Sequence, residues 1–147
     1  MAPHSYRSKR TFIGQLPNGA DLYESLTKIV REEDITLARI VAIGATSHAV
    51  VAYYDQDAKK YMNMEFTGGM EILTCSGNVS LRDGKPFVHI HILLGDRQGR
   101  VFGGHVMPGT KVFACELFID QFEGEELQRS FDEQTGLHLW QKSSRLV

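Results

Sequence analysis

Three histidines lie close together in this chain: His89, His91 and His105. Imidazole is a preferred ligand for borderline divalent metals. Three neutral rings around one Zn²⁺ leave the fourth tetrahedral position open to water or a small ligand. His89 and His91 are two apart within Phe87 to Leu94, which reads as a strand. Period-two geometry sends both to one face and Val88, Ile90, Ile92 and Leu94 to the other. A wholly aliphatic face belongs to the core, so the histidines point away from it. The turn residues Gly95-Asp96-Arg97-Gln98-Gly99 can reverse the chain and bring His105 alongside, just after Gly103-Gly104, a pair that permits close backbone approach. Spacing alone leaves a second reading open, in which the histidines are half-buried polar residues or face solvent together.

Other side chains are weighed against this cluster. Glu116 lies in a strand from Val112 to Gln121, on the face opposite Phe113, Cys115, Leu117 and Ile119. On the histidine side it would serve as a supporting partner, a fourth ligand or a general base; otherwise it is a surface glutamate. Glu71 has the same ambiguity. His48 reads as a capping or surface residue, and His4 and His138 receive no role. Cys75 and Cys115 fall inside strands and read as buried, inert thiols. No Gly-rich phosphate loop opens a helix, and no Gly-x-Ser-x-Gly elbow exists.

The elements that must position these residues are mostly strands. After a basic lead-in over residues 1–10, expected to be a tail, Thr11 to Leu16 forms a short strand closed by Pro17-Asn18-Gly19. Asp21 and Glu24 have capping-box spacing, and Leu22, Leu26, Ile29 and Val30 share one helical face that ends near Arg31-Glu32-Glu33-Asp34. Further strands are expected at Leu37 to Ile43, stopping at Gly44; at His48 to Tyr54; at Lys60 to Phe66; and, after a break at Gly68-Gly69, at Met70 to Val79. Asp83-Gly84 carries a hairpin signal. Tight turns without alternating helices favour antiparallel pairing. The expectation is a single α+β domain over 11–147, a mostly antiparallel β-sheet with one or two covering helices. Phe87 and Leu93 make the histidine face partly apolar too. That face needs cover from another subunit, or from residues 122–147 with Phe131, Leu137, Leu139 and Trp140.

The 147 residues suffice for one domain, with ordinary hydrophobic (42%) and charged (23%) fractions that disfavour disorder and coiled coil. No apolar run is long enough for a membrane helix, and the start lacks a secretory pattern. Two cysteines make no disulfide framework, so a reducing, cytoplasmic location is expected. Sixteen basic against eighteen acidic residues give −2, which argues against a dedicated nucleic-acid binder.

Glu71-Ile72-Leu73-Thr74-Cys75-Ser76-Gly77-Asn78-Val79, His89-Ile90-His91 and Gly103-Gly104-His105-Val106 together resemble the plant-and-prokaryote-conserved (PPC) domain. Pro17 to Leu22, Ile43-Gly44-Ala45 and Phe131 to Leu137 resemble its prokaryotic branch. The resemblance implies an α+β fold, a homotrimer, and metal ligation by His89, His91 and His105. The plant members' AT-hooks are absent, and Gly68-Gly69-Met70-Glu71-Ile72-Leu73 lacks the arginine and aromatic of the plant signature. The leading expectation is a trimeric metal-binding module, zinc first, open to a small ligand. The alternatives are a DNA-associated regulator using Arg7, Lys9 and Arg10 gathered by trimerisation, a metal-dependent hydrolase with Glu116 moving protons, and a plain scaffold.

Overall fold

The computed structural model of the chain describes residues 5–140. Its elements are β1 (Arg7–Leu16), α1 (Leu22–Glu32), β2 (Ala38–Asp55), β3 (Lys60–Arg82), β4 (Lys85–Gly95), β5 (Val101–Val106), β6 (Lys111–Glu123), β7 (Gln128–Asp132) and β8 (Leu137–Trp140). The eight strands form one sheet in the order β1-β6-β2-β5-β4-β3-β7-β8, with β2 also paired to β3. That extra pairing closes a ring. β2 pairs β3, β3 pairs β4, β4 pairs β5, and β5 returns to β2 through Val51↔Val106 and Ala52↔His105. One edge of β2 thus carries β6 along Ala38–His48 and β5 near its end.

The α+β expectation holds, with one described helix. Asp21 caps α1 by accepting from the Glu24 amide. Leu22, Leu26 and Val30 are fully buried and join Val88, Ile90, Ile92 and Leu94 in the core. Burial of each such helix side chain stabilises the packing by about 1.5–3 kcal/mol. Every ladder is antiparallel except the short β3–β7 pairing.

The glycine breaks need correcting. Gly44 lies inside the continuous β2, and Gly68-Gly69 inside the continuous β3. Both mark bulges: the register shifts between Ala42 and Gly44 and between Thr46 and His48. Gly44 has φ 143, and a Cβ there would stand 2.1 Å from the Ala114 carbonyl oxygen, so the glycine serves close strand approach without ending the strand. A bulge also alters the faces of β6. Val112 is buried and Phe113 exposed, so Phe113 does not share the face of Cys115, Leu117 and Ile119, which point inward.

The first strand begins at Arg7, four residues before Thr11, and Arg7 already pairs with Glu123. Residues 7–10 are therefore ladder rather than tail. Arg10 donates to Gln121 Oε1 and to the Glu33 carbonyl. Residues 128–140 form the β7–β8 hairpin, and its Leu137, His138 and Leu139 line a cavity beside the histidine face, so residues 122–147 supply part of the cover that the sequence analysis assigned either to them or to another subunit. The tip of this hairpin is fastened to the β2–β3 hairpin: the Tyr54 hydroxyl donates to the Thr135 carbonyl at 2.7 Å and Lys59 to the Glu133 carbonyl at 2.8 Å.

Candidate metal centre

The histidine face arises as period two dictates. On β4, Val88, Ile90, Ile92 and Leu94 are buried in the core, while His89, His91 and Leu93 face outward. The Gly95–Gly99 turn makes β5 the antiparallel neighbour of β4, with His91 and His105 directly opposite each other. Side chains at such positions stand about 4.5–5.5 Å apart at Cβ. Three glycines admit the approach. A Cβ on Gly77 would fall 1.9 Å from the His89 carbonyl oxygen, one on Gly103 2.3 Å from the Ile92 carbonyl oxygen, and one on Gly104 2.9 Å from the Ala52 carbonyl oxygen.

The three rings form a compact triangle. Centroids are 5.2 Å apart for His89–His91, 5.0 Å for His89–His105 and 5.3 Å for His91–His105. One ring nitrogen from each lies within 4.8 Å of the others. His89 Nε2 and His91 Nε2 are 3.3 Å apart. Two nitrogens about 2.0–2.1 Å from a tetrahedral Zn²⁺ stand about 3.3–3.4 Å apart, so this pair is already at ligand spacing. His105 Nδ1 is buried without a hydrogen-bond partner, an orphan polar atom of the sort a bound ion explains. Burial, then Arg129, then the other two rings lower the pKa of His89 to about 4. Burial, then His91 and Arg129, lower His105 to about 4 as well. Both rings are neutral at pH 7 and keep a lone pair for a cation, so the donor set fits a divalent metal.

Arg129, which the sequence reading missed, borders the triad. It enters on β7 and donates to Ser80 Oγ at 2.8 Å, to Asn78 Oδ1 at 2.9 Å and to the His138 carbonyl at 3.1 Å. Its Nη2 also stands 3.4 Å from His89 Nδ1. For His89 to hold a cation through Nε2 as a neutral ring, its proton must sit on Nδ1, and Arg129 would then stand beside it as a neighbouring positive charge without donating to it. No local spacing announces Arg129, because its position depends on a two-residue parallel pairing between distant parts of the chain.

Glu116 is not brought to the cluster within one chain. It pairs with Ile43 on β2, whereas His105 pairs with Ala52 on the same strand. That interval spans roughly 30 Å of extended strand. Glu71 is exposed and lies outside the cluster, which contains histidines alone. His48 sits in β2 with Nε2 3.8 Å from Glu65. His138 borders the cavity beside the triad, and His4 lies outside the described residues. Cys75 and Cys115 are free and buried, their thiols pushed up to about 12 and about 11 mainly by burial. Among the described residues, no helix is long and apolar enough to cross a membrane.

Comparison with known proteins agrees with this architecture. A metal-containing protein from Archaeoglobus fulgidus is 45% identical and superposes with a TM-score of 0.89, covering 97% of this chain and 100% of that one. A plant- and prokaryote-conserved protein from Pyrococcus horikoshii is 34% identical with a TM-score of 0.90, covering 97% and 98%. Among curated proteins, the bifunctional protein GlmU of a Synechococcus strain is 30% identical over 131 residues, 88% of this chain but only 20% of GlmU. The family model of the Plants and Prokaryotes Conserved (PCC) domain matches residues 3–123, and the chain belongs to that family.

Proposed function

We propose that this chain is a metal-binding module, zinc the best-fitting ion, which assembles as a homotrimer and offers an open three-histidine site to a small ligand. The observation that carries the reading is the convergence of three ring nitrogens within 4.8 Å, two of them 3.3 Å apart. The Archaeoglobus fulgidus relative, described as metal-containing, supports it at 45% identity. Bound metal would supply Lewis acidity at its open position. His89, His91 and His105 would hold the ion, while Arg129 borders them as a fixed positive charge.

Self-association has its own support. Ile13, Phe118 and Val41 lie directly opposite one another across β1, β6 and β2. Ile13 is 72% and Phe118 46% exposed, and Ile43 and Phe113 are also exposed. Such an apolar stripe on a solvent face calls for cover. The family resemblance makes the expected copy number three. Regulation through DNA has weaker support, since Arg10 is already engaged with Gln121 and Glu33 and the chain carries a charge of −2. A hydrolase that uses Glu116 would need that residue from another subunit.

The test is metal analysis of protein purified from zinc-replete cells. The expected result is one zinc per chain, lost in His91→Ala with the circular dichroism unchanged, because His91 is exposed. Metal-free wild-type protein overturns the reading.

A further inference from the structure

A cavity of about 460 Å³ opens beside the triad, within the usual range for small-molecule sites. His89 and His105 line one part of it; Phe87, Met107, Leu137 and Leu139 give it apolar walls. Among the described residues its lining contains no aspartate or glutamate, but it does contain two arginines, Arg82 and Arg129.

These two arginines are direct neighbours in the parallel β3–β7 register. Like charges in such positions destabilise a sheet. Both guanidiniums lie over the Phe87 ring, at 5.5 Å for Arg82 and 5.4 Å for Arg129. The groups that accept hydrogen bonds from Arg129 at Ser80, Asn78 and the His138 carbonyl are neutral. The Arg82 contact to Asp83 is long, 3.9 Å, and Asp83 is largely exposed on the hairpin turn, so it offsets little. Two cations therefore share an apolar cavity without a carboxylate from the lining to balance them. Beside them sit the nitrogens of a metal site, which adds positive charge once loaded.

We propose that this cavity binds a small organic carboxylate with an apolar or aromatic body, the charge taken by Arg82 and Arg129 and the body by Phe87, Met107, Leu137 and Leu139. The proposal deepens the metal reading and rests on it for the neighbouring ion, although the arginine pair stands without that ion. Arginine suits the role because its planar fork matches a carboxylate, and the apolar walls favour an organic acid over a bare inorganic anion.

The test is titration calorimetry on full-length zinc-loaded and chelator-treated protein with three probes: phenylacetate, its uncharged isostere phenylacetamide, and inorganic phosphate. Phenylacetate is expected to bind, with phenylacetamide and phosphate each about tenfold weaker or worse, as loss of a charge-assisted contact implies. Arg82→Gln should weaken phenylacetate about tenfold while zinc content stays at the wild-type value, since Arg82 is not among the three grouped metal-ligand candidates. Absence of phenylacetate binding, equal binding of the amide, or phosphate binding as tight as phenylacetate overturns the proposal. Protein that takes up no zinc yet binds phenylacetate through Arg82 sinks the metal reading and keeps the carboxylate site.

Discussion

The neutral histidines make the stability of the metal-free protein depend on pH in a defined window. His89 and His105 titrate at about 4 in the folded chain, against 6.5 for an unperturbed imidazole. Between these values the unfolded chain binds more protons than the folded one, so folding stability falls as pH is lowered from about 6.5 to about 4 and is insensitive to these two groups outside that window. A shift of that size corresponds to about 3.4 kcal/mol per ring at most. Both rings keep substantial contact with solvent and share the influence of His91, so a screened value of roughly 1–2 kcal/mol each is expected. Urea unfolding of chelator-treated protein at pH 7.0 and 4.5 measures the loss in wild type and in His89→Gln, whose side chain cannot titrate. Taking the difference between the two proteins removes the contribution of carboxylates such as Asp96 and Asp120, whose pKa values are also lowered. The variant should lose roughly 1–2 kcal/mol less on acidification than wild type. Equal losses would show that His89 is not held neutral by its surroundings, and the electrostatic description of the triad would fail.

Other perturbations separate parts of the same picture. Replacing Arg129 by Gln removes a cation that lowers both histidines, so the His89 pKa should rise toward 6.5, and more than that of His105, as followed by NMR titration of the ring protons. Gly77→Ala puts a methyl group 1.9 Å from the His89 carbonyl oxygen and 2.7 Å from the Ile90 Cα, so the β3–β4 ladder must shift. Thermal unfolding should report a loss of about 1–3 kcal/mol or more, together with weakened zinc uptake. Glu116→Gln should leave zinc content at the wild-type level, and a clear loss would place a second chain's Glu116 at the site. Cys75 and Cys115 should resist a thiol reagent in native buffer at pH 8 and react on addition of denaturant, since both are buried with raised pKa values.

The parts of this protein legible in its sequence are those with a local cause. The Asp21 cap, the apolar stripe of α1 and the alternation of His89 and His91 against Val88, Ile90 and Ile92 each follow from periodicity within a few residues, and each is present. His105 was reachable because a single turn separates β4 from β5. Gly44 and Gly68-Gly69 misled because a glycine that bulges a strand and one that ends it look alike until the partner strand is known; here Ala114 approaches Gly44, and Ser47 lies opposite the Gly68-Gly69 bulge. Glu116 shares with the histidines a place on an outward face, yet alternation says nothing about position along a long strand, and β2 puts them far apart. Arg129 was invisible for the opposite reason: the Arg82↔Arg129 register joins segments with no sequence relation to each other.

The absence of a carboxylate from the cluster bears on what the site does. A divalent ion on three neutral imidazoles would keep its full charge, and Arg129, 3.4 Å from His89 Nδ1, adds another positive charge at the same place. Burial draws the Arg129 pKa down, and the facing Arg82 acts in the same direction. Concentrating charge of one sign in a partly desolvated cavity is costly unless a counter-charge arrives from outside. A catalytic zinc site that works by activating water usually places a general base beside the ion to take the proton. Here the neighbours Arg129, Tyr61 and Phe87 do not accept a proton readily at neutral pH, and one further imidazole, His138, lines the same cavity. Among the described residues, the surroundings of the triad therefore suit an anion, and a hydrolytic role would have to draw its general base from His138, from the ligand or from another chain.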